Sequence, residues 1–317
     1  MPLLSRIYRA AGLMALVIFC AAPASAHPSG VTFRHVRRAG VRASVITVNL
    51  NDAGVKVSVA LSHSGIGSRE SFRSLLHRVR PAAAVTGTYF GLRDAQPVGD
   101  IVIGGRLVNS GFVGTALAIT KANEARFIET RRWKARDWGR YETVICGGPR
   151  LVTEGRVLVI PRDEGFRDRS LFRRRPRTAL GVTLHNRLVL VTVARPIYLR
   201  QLARLMRSLG CRNAIALDGG RSSAMFYRGR FAARPHRSLT NLLVVYDSSS
   251  EHRRALGRLA PGITIARRPS PAEGWAVAGS RSTAVVASAV RTTGGAPERH
   301  HAPPPVPGAD DGAAGDR

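Results

Sequence analysis

Apolar and polar positions alternate through positions 31 to 61, most clearly in Arg42-Ala43-Ser44-Val45-Ile46-Thr47-Val48-Asn49-Leu50 and Val55-Lys56-Val57-Ser58-Val59-Ala60-Leu61. A period of two rich in β-branched residues predicts strands, and Asn51-Asp52-Ala53-Gly54 between the pieces predicts a hairpin turn, so the chain opens as a meander. The period then changes. Phe72, Leu75, Leu76 and Val79 fall at helical spacing behind a capping Ser68, which predicts a short helix ending before Pro81.

Short apolar runs broken by glycine follow at 83–85, 98–103, 116–119, 144–145, 157–160, 179–184 and 188–193, a spacing that predicts sheet, largely antiparallel. A second helix is marked by Pro196 near its first turn, by Leu199, Leu202, Leu205, Met206 and Leu209 on one face, and by Gly210 as its left-handed stop. It leads into a strand at 214–217, and further strands at 225–227 and 242–246 close the pattern. The fold class predicted is α+β, a single domain with a large, mostly antiparallel sheet and few helices.

The two ends read differently. Arg6 and Arg9 precede an apolar run at 10–22 that stops at Ala24-Ser25-Ala26, the form of an exported signal peptide at 1–26 and too short for a comfortable membrane span. The folded domain is expected at 30–250. Beyond it the periodicity fades, and 251–317 reads as a low-complexity, disordered tail. The expected location is periplasmic or secreted, with no stable membrane span after the signal is removed.

Charge changes the picture less than its size suggests. The formal net charge is +29, from 49 Lys+Arg against 20 Asp+Glu, yet lysine occurs only at positions 56, 121 and 134. Arginine scattered along an Ala- and Gly-rich chain follows coding habit rather than a nucleic-acid footprint, so no dedicated nucleic-acid partner is expected and affinity for phosphate or acidic polymers is. Without the signal, Cys146 and Cys211 remain, and the sequence leaves open whether they pair or stay as buried thiols. No zinc spacing is present.

Chemistry concentrates where apolar strands run into glycines. The most marked case is Asn213-Ala214-Ile215-Ala216-Leu217-Asp218-Gly219-Gly220-Arg221-Ser222-Ser223-Ala224-Met225. Glycines let backbone amides approach a ligand, successive amides make an anion cradle, and Asp218 is pinned at a strand end beside them; a tight hairpin would use the same residues. Further joints are Cys146-Gly147-Gly148-Pro149-Arg150-Leu151-Val152, Pro176-Arg177-Thr178-Ala179-Leu180-Gly181, and Thr86-Gly87-Thr88-Tyr89-Phe90 leading to Gln96-Pro97-Val98-Gly99-Asp100. Arg150 and Arg177 offer planar forks to a phosphate.

In this order and at these separations, with Pro235-His236-Arg237 and Thr240-Asn241 closing the series, the segments resemble the phosphodiester glycosidase family over about residues 80 to 247. One departure is Thr86, where the family usually has Asn before the glycine. The resemblance implies hydrolysis of a sugar 1-phosphodiester between the anomeric carbon and the phosphate oxygen, in envelope or exopolysaccharide metabolism, with a glycan or sugar phosphate as partner. A phosphate leaves more readily than an alkoxide, so such a site needs to hold phosphate charge and to place water or a carboxylate at the anomeric carbon.

On that reading Asp218 is general base, nucleophile or metal ligand; Gly219, Gly220 and Ser222 form the cradle; Arg150, Arg177 and Thr178 meet the phosphate. Asp100 and Glu142 are candidate second carboxylates, His236 a candidate proton shuttle, Asn241 a candidate sugar or metal contact, and Thr86 a candidate sugar contact. No cofactor is called for, and a divalent cation among Asp218 and neighbouring oxygens stays an option, with no EF-hand or His-cluster spacing to hold it. Two competing functions share the residues: a phosphodiesterase breaking the P–O bond, and a non-catalytic basic envelope module binding anionic polysaccharide.

Overall fold

Three antiparallel sheets build the protein. The computed structural model describes residues 30–111, 114–130 and 136–262, all within one compact unit. In the largest sheet seven strands run in the order Val31–Arg38, Val41–Asn49, Arg187–Ile197, Arg175–Thr183, Cys211–Leu217, Arg150–Thr153, Arg156–Val157. A second sheet orders Arg230–Ala233, Met225–Tyr227, Ala83–Thr86, Asn241–Tyr246 and Lys56–Leu61. The third orders Arg106–Asn109, Ile101–Ile103, Tyr141–Gly147, Thr115–Thr120 and Ala125–Glu129. The α+β class expected from the sequence is what forms.

The three central strands of the seven-stranded sheet, Arg187–Ile197, Arg175–Thr183 and Cys211–Leu217, are buried on both faces over most of their length, which explains why they read as nearly continuous apolar runs. Ile46, Leu180, Leu190 and Ile215 point into a core shared with the two smaller sheets, whereas Val45, Ala179, Val191 and Ala216 pack under the helix Leu199–Ser208. That helix buries Leu199, Leu202, Leu205 and Met206 as its spacing requires. Pro196 lies in the preceding strand rather than in the first helical turn, and Gly210 ends the helix at φ +84°.

Three local expectations are corrected. Asn51 to Gly54 does not close a hairpin: Val41–Asn49 and Lys56–Leu61 belong to different sheets, and the hairpin lies instead between Val31–Arg38 and Val41–Asn49, turning through Ala39 and Gly40 at φ +48° and +75°. The cap of the first helix, Phe72–Val79, is Ser71, whose Oγ accepts from the Ser74 amide at 3.1 Å; Ser68 instead hydrogen-bonds Ser62 and the Gly65 carbonyl. Third, order continues past 250 as a helix, Ser249–Leu259, which buries His252, Ala255 and Leu259 against the second sheet. The signal-like segment and residues 263–317 lie outside the described residues.

Cys146 and Cys211 are both free and buried, and burial pushes each thiol up to about 12. Among the described residues, no helix is long and apolar enough to cross a membrane.

Candidate active site

Four buried residues, Ala214, Ile215, Ala216 and Leu217, anchor the end of the strand that delivers Asp218. The register pairs Leu217 with Thr178 on the neighbouring strand, so Asp218 emerges next to Arg177. The two glycines are then required by space and by conformation. A Cβ on Gly219 would come within 3.0 Å of the Pro176 carbonyl oxygen, and Gly220 opens the 3₁₀ turn Gly220–Ser222 at φ +59°.

Asp218 is held from both sides. Its amide donates to the Gly87 carbonyl at 3.1 Å, and its Oδ1 accepts from the Gly219 amide at 2.8 Å. Burial pushes its carboxyl up to about 6; the Ser222 hydroxyl, the Gly219 amide and the Arg237 guanidinium oppose that rise, while Asp168 adds to it. Ser222 acts here as a nearby dipole rather than a formed hydrogen bond, because its Oγ is buried and has no partner at hydrogen-bonding geometry.

The carboxylate lies in a cavity of about 530 Å³ whose walls are Tyr89, Phe166 and Leu171 and whose charged groups are Asp168, Arg167, Arg175, Arg177, Arg221 and Arg237. Arg177 is committed to the scaffold. Its Nε donates to the Ile197 carbonyl at 3.3 Å, and Nη2 donates to those of Leu171 at 2.9 Å and Arg173 at 2.5 Å. By contrast, the guanidinium groups of Arg167, Arg175 and Arg237 make no hydrogen bond or ion pair with any described residue. Cations gathered around a cavity without partners are suited to an anionic ligand.

Tyr89 ties two of the glycine joints to this place. Its hydroxyl donates to the Gly148 carbonyl at 2.7 Å, and its ring meets Phe166 edge-on at 6.0 Å. Burial and the neighbouring Asp218 raise the phenol above its usual range, so it stays a donor. Gly148 itself has no room for a side chain, since a Cβ would lie 2.7 Å from the Phe166 ring.

The structure thus gathers Asp218, Gly219, Gly220 and Arg177 in one cavity, with Thr178 and Ser222 buried behind it. Asn241 sits one layer back: its Oδ1 accepts from the Thr88 amide at 2.8 Å, and its Nδ2 donates to Thr240 Oγ1 at 2.8 Å, so it holds the segment carrying Tyr89. Thr86 is buried in its strand opposite Leu242 and does not line the cavity. His236 is exposed at the rim, donating its amide to the Arg221 carbonyl at 2.7 Å.

Three others are placed elsewhere. Arg150 faces a separate groove with Arg126, Arg212 and Asn213, and its Nε donates to Thr115 Oγ1 at 2.9 Å. Asp100 is buried with its acceptors filled by Arg136 (2.7 Å), Trp138 Nε1 (2.8 Å) and the Gly111 amide (2.7 Å). Glu142 is half-buried in its strand, where its charge acts on Lys56.

Sequence reasoning passed over Asp168, Arg175, Arg221 and Arg237. The arginine-dense stretch from Arg167 to Arg177 was the available signal, together with Asp168 two residues before Ser170, whose amide donates to the Asp168 carboxylate at 2.7 Å and caps the 3₁₀ turn Arg169–Phe172. Among the described residues, no group of three or more His, Cys, Asp or Glu is placed to hold a metal ion.

The model of the family described as phosphodiester glycosidase matches residues 80–246. No curated protein matches the sequence. Among solved structures, a hypothetical protein from Synechocystis superposes with TM-score 0.61 at 14% identity, covering 68% of this chain and 62% of that one; the present chain therefore spans less than two thirds of that protein. The catalytic domain of zebrafish N-acetylglucosamine-1-phosphodiester alpha-N-acetylglucosaminidase, auto-inhibited by its pro-peptide, superposes with TM-score 0.56 at 20% identity, covering 70% of this chain and 85% of that domain. At these identities the superpositions establish the fold.

Proposed function

This chain belongs to the phosphodiester glycosidase family, and from that premise we propose that it hydrolyses a sugar 1-phosphodiester at the anomeric carbon, in the cavity floored by Asp218. The observation that carries this reading is a half-buried carboxylate in one cavity with the guanidinium groups of Arg167, Arg175 and Arg237, which make no hydrogen bond or ion pair with a described residue. Arg175 and Arg237 hold the phosphate, with the Gly219 and Gly220 backbone leaving room for its approach. The carbon–oxygen bond to phosphate breaks, the guanidinium groups take up the charge of the departing phosphate monoester, and the water oxygen becomes the anomeric hydroxyl. Asp218 in its ionised form takes the proton of that water or forms the glycosyl ester that water then opens. Either role requires the carboxylate, which at neutral pH is the major form of a group whose pKa is about 6.

The natural setting of this reading is an exported protein acting on envelope or exopolysaccharide material, an expectation supported by the signal-like segment at 1–26. The test is Asp218→Asn. Release of sugar from a GlcNAc-1-phosphodiester should fall by at least about three decades, the scale of losing a catalytic base or nucleophile, while the variant still unfolds cooperatively. Full retained activity would refute the assignment.

A further inference from the structure

A second basic concavity lies on the seven-stranded sheet, outside the cavity described above. Its volume is about 670 Å³, and its charged lining is Arg37, Arg42, Arg174 and Arg195. A neighbouring hollow of about 440 Å³ shares Arg37, Arg42 and Arg195, and neither contains an Asp or Glu. The arrangement costs the fold something. Arg37 and Arg42 are direct cross-strand partners in the first hairpin, so two like charges project from one face at the closest spacing a sheet allows, which destabilises a hairpin unless an anion lies between them. Arg195, on the next strand but one, adds a third exposed guanidinium, and none of the three makes a hydrogen bond or ion pair with a described residue.

The concavity is close to the catalytic cavity. Ile197 lines it, and the Ile197 carbonyl accepts from Nε of Arg177, which lines the Asp218 cavity. The two hollows are separated by a single strand pairing, Arg175 with Ile197, whose members line the Asp218 cavity and the second concavity respectively.

We propose that Arg37, Arg42 and Arg195 form a second anion site, which grips a negatively charged stretch, phosphate or uronate, of the same glycan polymer whose glycosyl phosphodiester enters the Asp218 cavity. The polymer's identity as substrate rests on the function proposed above; the anion site does not. Guanidinium forks accept phosphate and carboxylate with the same bidentate geometry, so both chemistries are tested.

The experiment titrates the full chain with fluorescein-labelled inorganic polyphosphate and, separately, with fluorescein-labelled polygalacturonate. It compares Arg37→Ala/Arg42→Ala/Arg195→Ala with a control of equal charge loss, Arg253→Ala/Arg254→Ala/Arg258→Ala, on exposed positions of the helix that packs against the second sheet. The site variant should weaken binding of at least one probe by about tenfold or more, the sum of three modest ionic contacts, and the control by about threefold or less. The probe that responds identifies phosphate or uronate as the ligand chemistry. Equal weakening in both variants, or no binding of either probe, overturns the site by reducing it to net charge. Turnover of a small sugar 1-phosphodiester should be unchanged in the site variant; absence of that turnover in the parent protein would count against the catalytic reading and leave the titration standing.

Discussion

The amide of Asp218 donates to the carbonyl of Gly87 across 3.1 Å, joining a strand end of the large sheet to a strand end of the second. Gly87 is locked in turn, because a Cβ there would lie 1.9 Å from Oδ1 of Asn241. Gly87→Ala should therefore move Asp218 and Tyr89 together, lowering kcat/KM by more than about tenfold and stability by on the order of 1–3 kcal/mol. Steady-state kinetics beside a thermal melt checks both.

Arg237 favours the ionised form of Asp218, and its guanidinium makes no hydrogen bond or ion pair with a described residue. Arg237→Ala is expected to raise KM by about tenfold or more through the lost phosphate contact, with little change in Tm. It should also shift the acid limb of the pH–rate profile upward, since removing the cation lets burial push the Asp218 carboxyl further. An unchanged limb would separate Arg237 from Asp218.

Asp218 also links activity to stability. Its folded pKa of about 6 lies above the ordinary 3.8, so between these values the native state binds the extra proton. Its contribution therefore favours folding below about pH 4 and is lost as pH rises through about 6. Asp218→Asn should be more stable than the parent at pH 8, by on the order of 1–2 kcal/mol once partial exposure is allowed for, and the advantage should disappear near pH 4. Matched melts at the two pH values read this directly, and turnover of the parent should rise through about pH 6.

Arg177 and Arg150 separate scaffold from ligand contact. Removing the Arg177 guanidinium leaves the carbonyls of Ile197, Leu171 and Arg173 without their donor, so Arg177→Ala should cost on the order of 3 kcal/mol and activity with it. Arg150→Ala loses one hydrogen bond to Thr115 and should leave kcat/KM within about threefold of the parent, at a stability cost of about 1 kcal/mol. Chemical denaturation and kinetics on the pair check the contrast.

The floor of the cavity was legible because the apolar run before Asp-Gly-Gly reads as a buried strand, which brings the carboxylate out at the strand's end whether the glycines serve a turn or a ligand. Helix faces were legible for the same reason, since Leu202, Leu205 and Met206 can only be buried together. Strand pairing was not, because alternation at 41–61 serves equally two strands of one hairpin and two strands in different sheets. Facing was not either: the register between Arg150–Thr153 and Cys211–Leu217 shifts between Arg150 and Val152, and Arg150 lines the separate groove while its Nε donates to the buried Thr115 hydroxyl. Asp168 and Arg175 lie in an arginine-dense stretch and Arg237 in the Pro235-His236-Arg237 segment, but in a chain with 49 Lys+Arg neither pattern gives these residues a role; their convergence on one cavity does so.

The central claim, hydrolysis at the anomeric carbon by the Asp218 cavity, is tested most directly by turning over a sugar 1-phosphodiester in water enriched in heavy oxygen and weighing the products. The label should appear in the hydroxyl of the released sugar, with none in the phosphate and none in either product of Asp218→Asn. Label in the phosphate, or no turnover by the parent protein, would contradict the account.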